Sequence, residues 1–324
     1  MKKIKVSTTF PEFPIIRQTP DETGIWGDYQ FYMDQDIDEC DYWIVYDGVS
    51  KPERATCPKE NVILIAGEPQ SVKKYPQGYL NQFSSVITSQ NDMRHKNKIL
   101  SFHPLIWFVG RRVIDKENRV EYSKNYDELK SINNIEKTKL ISVISSNKVF
   151  TKGHQERYDF VMALKEHFKD KIDVFGRGIN DIEDKWDAIA PYKYHIALEN
   201  SSYPHYWTEK IADSYLALSY PIYYGCPDIS QYIDENSYSV IDINNFERAV
   251  NIIEKLINEN KYENSLDLLI KTKREMMDCY NFFPIMADFC SKIKKEENSL
   301  AKKITIKPEN EFFIKNRLYR LFKR

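Results

Sequence analysis

Short, unbroken apolar runs set between polar connections limit most sharply what this chain can fold into. NVILIAG, LISVISS, IDVFG, YHIALEN and PIYYG all have this form. A strand with one wet face alternates apolar and polar residues; a strand covered on both faces does not, so these runs read as parallel strands of a covered sheet. In the first third of the chain the candidate strands are Ile4–Phe10, Tyr42–Tyr46, Val62–Ala66 and Ser85–Thr88. Later runs alternate with helical patterns: Gln155–Phe168, with Phe160, Leu164 and Phe168 on one stripe, then Phe246–Asn258 and Leu266–Met277. Strands alternating with helices predict a doubly wound α/β sheet, here repeated in two halves.

A chain of 324 residues suits two domains of similar size. The polar stretch Val113–Thr138 reads as a partly helical connection between them. The expected division is 1–130 for the first domain with the start of the linker, 131–300 for the second, and 301–324 for a tail. A formal charge of −1 excludes a nucleic-acid binder by bulk charge. The 5 cysteines are odd in number and none is spaced C-x-x-C, which argues against a disulfide framework or a zinc site and fits a reducing compartment. MKKIKVSTTF lacks the apolar core of a signal peptide and reads as a first strand. No run approaches the roughly 20 apolar residues of a membrane span. These traits predict a cytoplasmic protein.

The ending FFIKNRLYRLFKR carries several Lys and Arg and no acid. Ile314, Leu318, Leu321 and Phe322 fall on one helical face. Two readings stay open: a basic amphipathic helix on an anionic membrane surface, at the inner membrane face, or a helix docked on the protein with its basic side in water.

The richest segment is YKYHIALENSSYPHYWTEKIADSYLALSYPIYYGCPDI. A buried strand, Tyr194–Leu198, runs into Glu199 and Asn200. A polar, aromatic loop follows, and Thr208-Glu209-Lys210 opens an apolar-periodic helix with Thr208 as N-cap. Open α/β sheets bind ligands where the carboxyl end of a strand faces a helix N-terminus. Free N–H groups there favour phosphate. Lys210 would add a charge for a diphosphate, and Glu209 could accept ribose hydroxyls. Local physics alone favours an ordinary strand–loop–helix joint with a surface Glu-Lys pair.

ENSSYPHYWTEK, the helix after it and YPIYYG-x-P resemble, in order and spacing from Tyr192 to Pro227, the signature of the family 10 fucosyltransferases, the α-1,3/4-fucosyltransferases. IDVFGR, Ser146-Asn147 and the helix start holding Arg157 are also similar. The likeness is good over about 139–245 and loose in the first third. It implies a GT-B fold, two Rossmann-like domains facing each other across a cleft, with a GDP-sugar on the C-terminal domain and the acceptor toward the N-terminal one. It implies inverting chemistry with no cofactor and no catalytic metal. Carried over by position, Lys210 would contact the diphosphate and Glu209 the GDP ribose. Asn200 and Tyr206 would line the donor pocket. Arg157 would meet the β-phosphate, a task suited to a guanidinium fork.

An inverting transfer needs a base for the acceptor hydroxyl. The resemblance implies a Glu after an N-terminal-domain strand, in a Glu-x-Pro-like context. Here LIAGEPQS offers Glu68, with Pro69 following directly where the family often has a residue between. His103, in SFHPLIWFVG, lies near the proposed connection and is given no role. The run Asp34-Gln35-Asp36-Ile37-Asp38-Glu39 contains D-x-D, a metal-holding pair in GT-A enzymes, but is read as solvated acids placed before a strand rather than after one.

The function expected is an inverting transfer of fucose from GDP-fucose to a glycan hydroxyl of a lipopolysaccharide, capsule or other surface glycan, with the acceptor lipid-linked at the membrane in one version. Another GDP-sugar donor, or a glycan-binding relative without catalysis, is the alternative. The joint presence of Glu68, Arg157, Glu209 and Lys210 argues against the last.

Overall fold

The computed structural model describes residues 1–114, 120–145, 152–293 and 300–313. The chain packs as two units: one holds Met1–Pro104 and the chain from Phe283 onward, the other Leu105–Phe282.

The first unit is built on strands β1 (Lys2–Thr8), β2 (Ile25–Trp26), β3 (Tyr29–Met33), β4 (Tyr42–Tyr46), β5 (Glu53–Cys57), β6 (Val62–Ala66), β7 (Ser85–Thr88) and β8 (Lys98–Leu100), with the short helix α1 (Gln77–Leu80) before β7. Its main sheet runs β2-β3-β1-β4-β6-β7-β8 among the described residues. Only β2 is antiparallel to its neighbour. The strands β4 and β6 are buried along their whole length, as unbroken apolar runs require of central parallel strands. Each fully buried Val, Ile or Leu there contributes roughly 1.5–3 kcal/mol, so Leu64→Ala costs about 2–5 kcal/mol with its cavity.

The second unit opens with a small antiparallel pair, β9 (Arg111–Val113) and β10 (Val120–Tyr122), and helix α2 (Tyr126–Ser131). Asn125 and Glu128 form a capping box that starts α2. A parallel sheet follows, from β11 (Lys139–Ile144), β12 (Ile172–Phe175), β13 (Tyr192–Leu198), β14 (Tyr220–Tyr224) and β15 (Ser239–Val240), in the order β12-β11-β13-β14-β15. Helices α3 (Lys152–Phe168), α4 (Lys185–Ile189), α5 (Glu209–Leu216), α6 (Phe246–Asn258) and α7 (Leu266–Asp278) surround it. Phe160, Leu164 and Phe168 are buried on α3, as their spacing predicted. Gly176, in the IDVFGR stretch, has φ +129, and a Cβ there would stand 1.9 Å from the Ser145 carbonyl oxygen. Only glycine lets the exits of β11 and β12 come that close.

Helix α8 (Phe282–Lys292) then carries the chain back, and β16 (Lys302–Ile306) pairs antiparallel with β5 in the first unit. The expected boundaries at 130 and 300 are therefore corrected. The first falls at Leu105, because two buried carboxylates tie the backbone after it into the second unit: Asp213 accepts from Phe108 and Val109, and Asp184 from Gly110. The second moves back to Phe283, and the supposed tail opens as a strand. Residues 314–324, with Ile314, Leu318, Leu321 and Phe322, lie outside the described residues, as do Ser146 and Asn147. Two Rossmann-like α/β units with parallel sheets are present, as the fold expectation had it. Among the described residues no helix is long and apolar enough to cross a membrane.

Candidate functional site

The exit of β13 and the entry of α5 form one electrostatic unit. Glu199, 1% exposed, follows the last residue of β13. Its carboxylate accepts the Thr208 N–H at 2.8 Å and the Thr208 hydroxyl at 2.9 Å. The Thr208 side chain in turn caps the Lys210 N–H, as its N-cap reading required. Gly225, the glycine of YPIYYG, lies against this carboxylate: a Cβ there would meet Glu199 Cγ at 2.4 Å. The glycine is thus needed for close approach rather than for an unusual dihedral.

Lys210 points its ammonium back into the joint, 3.2 Å from Glu199, 3.6 Å from Glu209 and 3.1 Å from the Thr208 hydroxyl. Burial alone would lower its pKa, but Glu199 and Glu209 outweigh it and keep the ammonium charged. Glu209 is also shielded, which opposes ionisation, yet Lys210 and Lys185 hold its pKa down to about 2. Glu199 is pushed up by burial against the pull of Lys210. Arg157, on α3, donates to the Asn200 side-chain oxygen. Burial lowers its pKa, and Glu199 and Tyr206 oppose that. Among the described residues its Nε has no hydrogen-bond partner, an open buried donor of the kind an anion satisfies. Tyr206 is buried at 3% exposure. Arg157, Asn200, Tyr206, Glu209 and Lys210 are therefore brought together around Glu199, with two cations at the N-terminus of a helix. Positive charge at a helix N-terminus favours an anion.

Three partners escaped the sequence reading. Glu199 was seen only as a strand end. Lys185, the first residue of α4, lies 3.3 Å from Glu209 and 3.4 Å from Asp213. Asp213, one turn after Glu209 on α5, has its pKa raised to about 6 by burial, against the pull of Lys185. An Asp followed by Lys-Trp signals a helix start and nothing more, so no local pattern could have flagged Lys185. The aromatic loop has its own brace: His205, at φ 62, donates its N–H to Asp228 at 2.8 Å, and the Cys226 thiol donates to the same carboxylate at 2.9 Å.

Glu68 belongs to the first unit, in the turn after β6. That turn is held by Asp47, just past β4. The Asp47 carboxylate accepts the Gly67 N–H at 2.8 Å and the Tyr75 hydroxyl at 2.6 Å. Gln90 donates to the Glu68 carbonyl at 2.8 Å. Asp34 repeats the device two strands away: it accepts the Thr8 N–H at 2.6 Å and the Thr8 hydroxyl at 2.8 Å. The acidic run therefore follows a strand, β3, rather than only preceding one, which corrects its placement. YQFYM was not recognised because its aromatic residues fit neither an unbroken run nor a clean alternation. Among the described residues no group of three or more His, Cys, Asp or Glu side chains is arranged to hold a metal ion. His103 is buried, with its ring edge-on to Tyr46.

The α-(1,3)-fucosyltransferase FucT of Helicobacter pylori is 30% identical over 105 residues, covering 32% of this chain and 21% of that protein. The α-(1,3)-fucosyltransferase B of Drosophila melanogaster is 35% identical over 80 residues, covering 24% of this chain and 18% of that protein. The aligned stretch is thus about a fifth of each relative's length. A crystal structure of an α1,3-fucosyltransferase with GDP-fucose is 16% identical, with a TM-score of 0.48, over 99% of this chain and 89% of that one. The family described as glycosyltransferase family 10 (fucosyltransferase), C-terminal part, matches residues 134–305, more than half of the chain and all of the second unit's parallel sheet. The chain belongs to glycosyltransferase family 10, the fucosyltransferases.

Proposed function

We propose that the protein transfers fucose from GDP-fucose to a hydroxyl of a glycan acceptor, with inversion at the sugar carbon. The observation that carries this is the paired cationic site at the α5 N-terminus, where Lys210 and Arg157 converge on Glu199 and Asn200. Lys210 takes the diphosphate, with the helix N-terminus behind it. Glu209 accepts the ribose hydroxyls. Asn200 and Tyr206 line the donor pocket. The Arg157 fork meets the β-phosphate and stabilises the charge that grows on GDP as the sugar–oxygen bond breaks. Glu68 removes the acceptor hydroxyl proton as the acceptor oxygen bonds to the sugar carbon from the face opposite GDP. Lys210 and Arg157 supply the charge neutralisation, so turnover is expected without a divalent metal or other cofactor. The acceptor is proposed to be a saccharide of a surface glycan, such as a lipopolysaccharide or capsule, made at the inner membrane face.

The test is incubation with GDP-fucose and a panel of saccharide acceptors, EDTA present. GDP release and a product of inverted anomeric configuration are expected. Release with another GDP-sugar but not GDP-fucose moves the donor assignment. Absence of GDP binding by calorimetry overturns the reading, and loss of activity in EDTA overturns its metal-free form.

A further inference from the structure

We propose that Lys185 is a positioning residue of the donor site: it holds the Glu209 carboxylate in place for the ribose by tying it to Asp213. The inference rests on the donor reading above and names a residue that reading does not use.

Lys185 starts α4 directly after its N-cap, Asp184. Its ammonium lies 3.3 Å from Glu209 Oε1 and 3.4 Å from Asp213 Oδ2, and 4.6 Å from the centre of the Phe108 ring. All three groups are shielded, with side-chain exposures of 23% for Lys185, 16% for Glu209 and 1% for Asp213. Glu209 and Asp213 are four apart on α5, so two like charges share one helix face and repel unless a cation stands between them. Lys185 is that cation. Asp213 is a fixed anchor, because its other oxygen accepts the N–H groups of Phe108 at 3.1 Å and Val109 at 3.2 Å. Anchor, ammonium and Glu209 form a chain that ends on the carboxylate proposed to meet the ribose.

Glu209 also has Lys210 nearby, but that ammonium is shared with Glu199 and Thr208. A bound diphosphate draws Lys210 further away. Lys185 is then the cation that remains on Glu209, keeping it charged and oriented while Lys210 is engaged. The two lysines divide the work: one meets the ligand, the other fixes the residue that does.

Calorimetry of GDP and of 2′,3′-dideoxy-GDP, which lacks the ribose hydroxyls, tests this. Lys185→Met is expected to weaken GDP about 10- to 100-fold, the scale of a lost charge-assisted hydrogen bond. The same variant should leave dideoxy-GDP unchanged, Lys185→Arg should restore most of the GDP affinity, and the loss should vanish in a Glu209→Gln background. Equal weakening of GDP and dideoxy-GDP, or no weakening of GDP, overturns the proposal. If Lys185→Met does not fold, Lys185→Gln carries the same comparison, since it keeps a polar side chain there without the charge. If the wild type itself binds GDP and dideoxy-GDP alike, or Glu209→Gln leaves GDP binding intact, the ribose role of Glu209 fails first and takes the inference with it.

Discussion

The acidic side chains near the carboxyl edges of the two sheets differ in what they are paired with. In the first unit Asp34 and Asp47 sit in left-handed backbone positions, φ 50 and φ 58, which a short Asp side chain tolerates. Each reaches sideways to the exit of a neighbouring strand and accepts a backbone N–H, Thr8 for one and Gly67 for the other. In the second unit Glu199 and Asp213 also accept backbone N–H groups, but these two and Glu209 each have an ammonium partner as well, Lys210 or Lys185. A carboxylate satisfied by amide N–H groups fixes the shape of a turn. A carboxylate satisfied by lysines keeps a cation charged and in reserve, able to exchange its partner for an incoming phosphate. The first edge therefore presents a rigid turn bearing Glu68, and the second a set of charges that can be redistributed.

The hardest test of this contrast is Lys210→Met. It leaves Glu199 buried without its cation, at a cost of about 3–5 kcal/mol in denaturant unfolding at neutral pH, and abolishes GDP binding. Because Glu199 has a raised pKa, part of that loss should return on lowering the pH, as the carboxyl takes up a proton and no longer needs a partner. A pH-independent loss would mean the ammonium serves packing alone.

Glu68→Gln should lower turnover by about 10²- to 10⁴-fold, the usual weight of a general base, and leave GDP affinity unchanged. Near-normal turnover with intact GDP binding would place the base elsewhere. A smaller effect is expected at the clamp beneath it. Asp47→Ala orphans the Gly67 N–H and the Tyr75 hydroxyl, costing about 1–3 kcal/mol of stability, and turnover should fall less than for Glu68→Gln. Full activity in the Asp47 variant would remove the turn from the catalytic account.

The smallest signal is a slope. Asp213, raised to about 6 by burial against the pull of Lys185, holds its proton in the folded state to higher pH than in the unfolded chain. The folded state thus binds more protons between about pH 4 and pH 6, and this group makes stability fall as pH rises through that window. Asp213→Asn should flatten that part of a urea-unfolding profile, whatever its effect on absolute stability, while Glu199 contributes a residual slope of the same sign. An unchanged slope would show that Asp213 does not titrate there.

The first sheet was readable where its strands are buried on both faces: Tyr42–Tyr46, Val62–Ala66 and Ser85–Thr88 have the bounds expected of them. The separate pair β5 and β16, ERATC and KKITI, was unreadable, because their polar residues carry no unbroken run. What makes them strands is each other, and more than two hundred residues separate them. The site divides along the same line. Thr208, Glu209 and Lys210 could be read because a cap, an acid and a cation at a helix start are neighbours in sequence. Lys185, Asp213 and Asp47 could not, since each acquires its meaning from a partner on another element.

The pairing of β5 with β16 also sets a timetable. Ile304 and Ile306 belong to the same buried cluster as Ala55, Cys57 and Trp43, so the first unit has a gap in its wall until the chain past Phe283 has been made. The whole of Leu105–Phe282 must leave the ribosome in between, roughly ten to forty seconds of synthesis. The second unit is continuous in sequence and can close in that interval. The first must wait with one edge of β5 unpaired, a template for a stray strand. A nascent chain of this protein is most exposed to misassembly after its second unit is finished and before its opening hundred residues are.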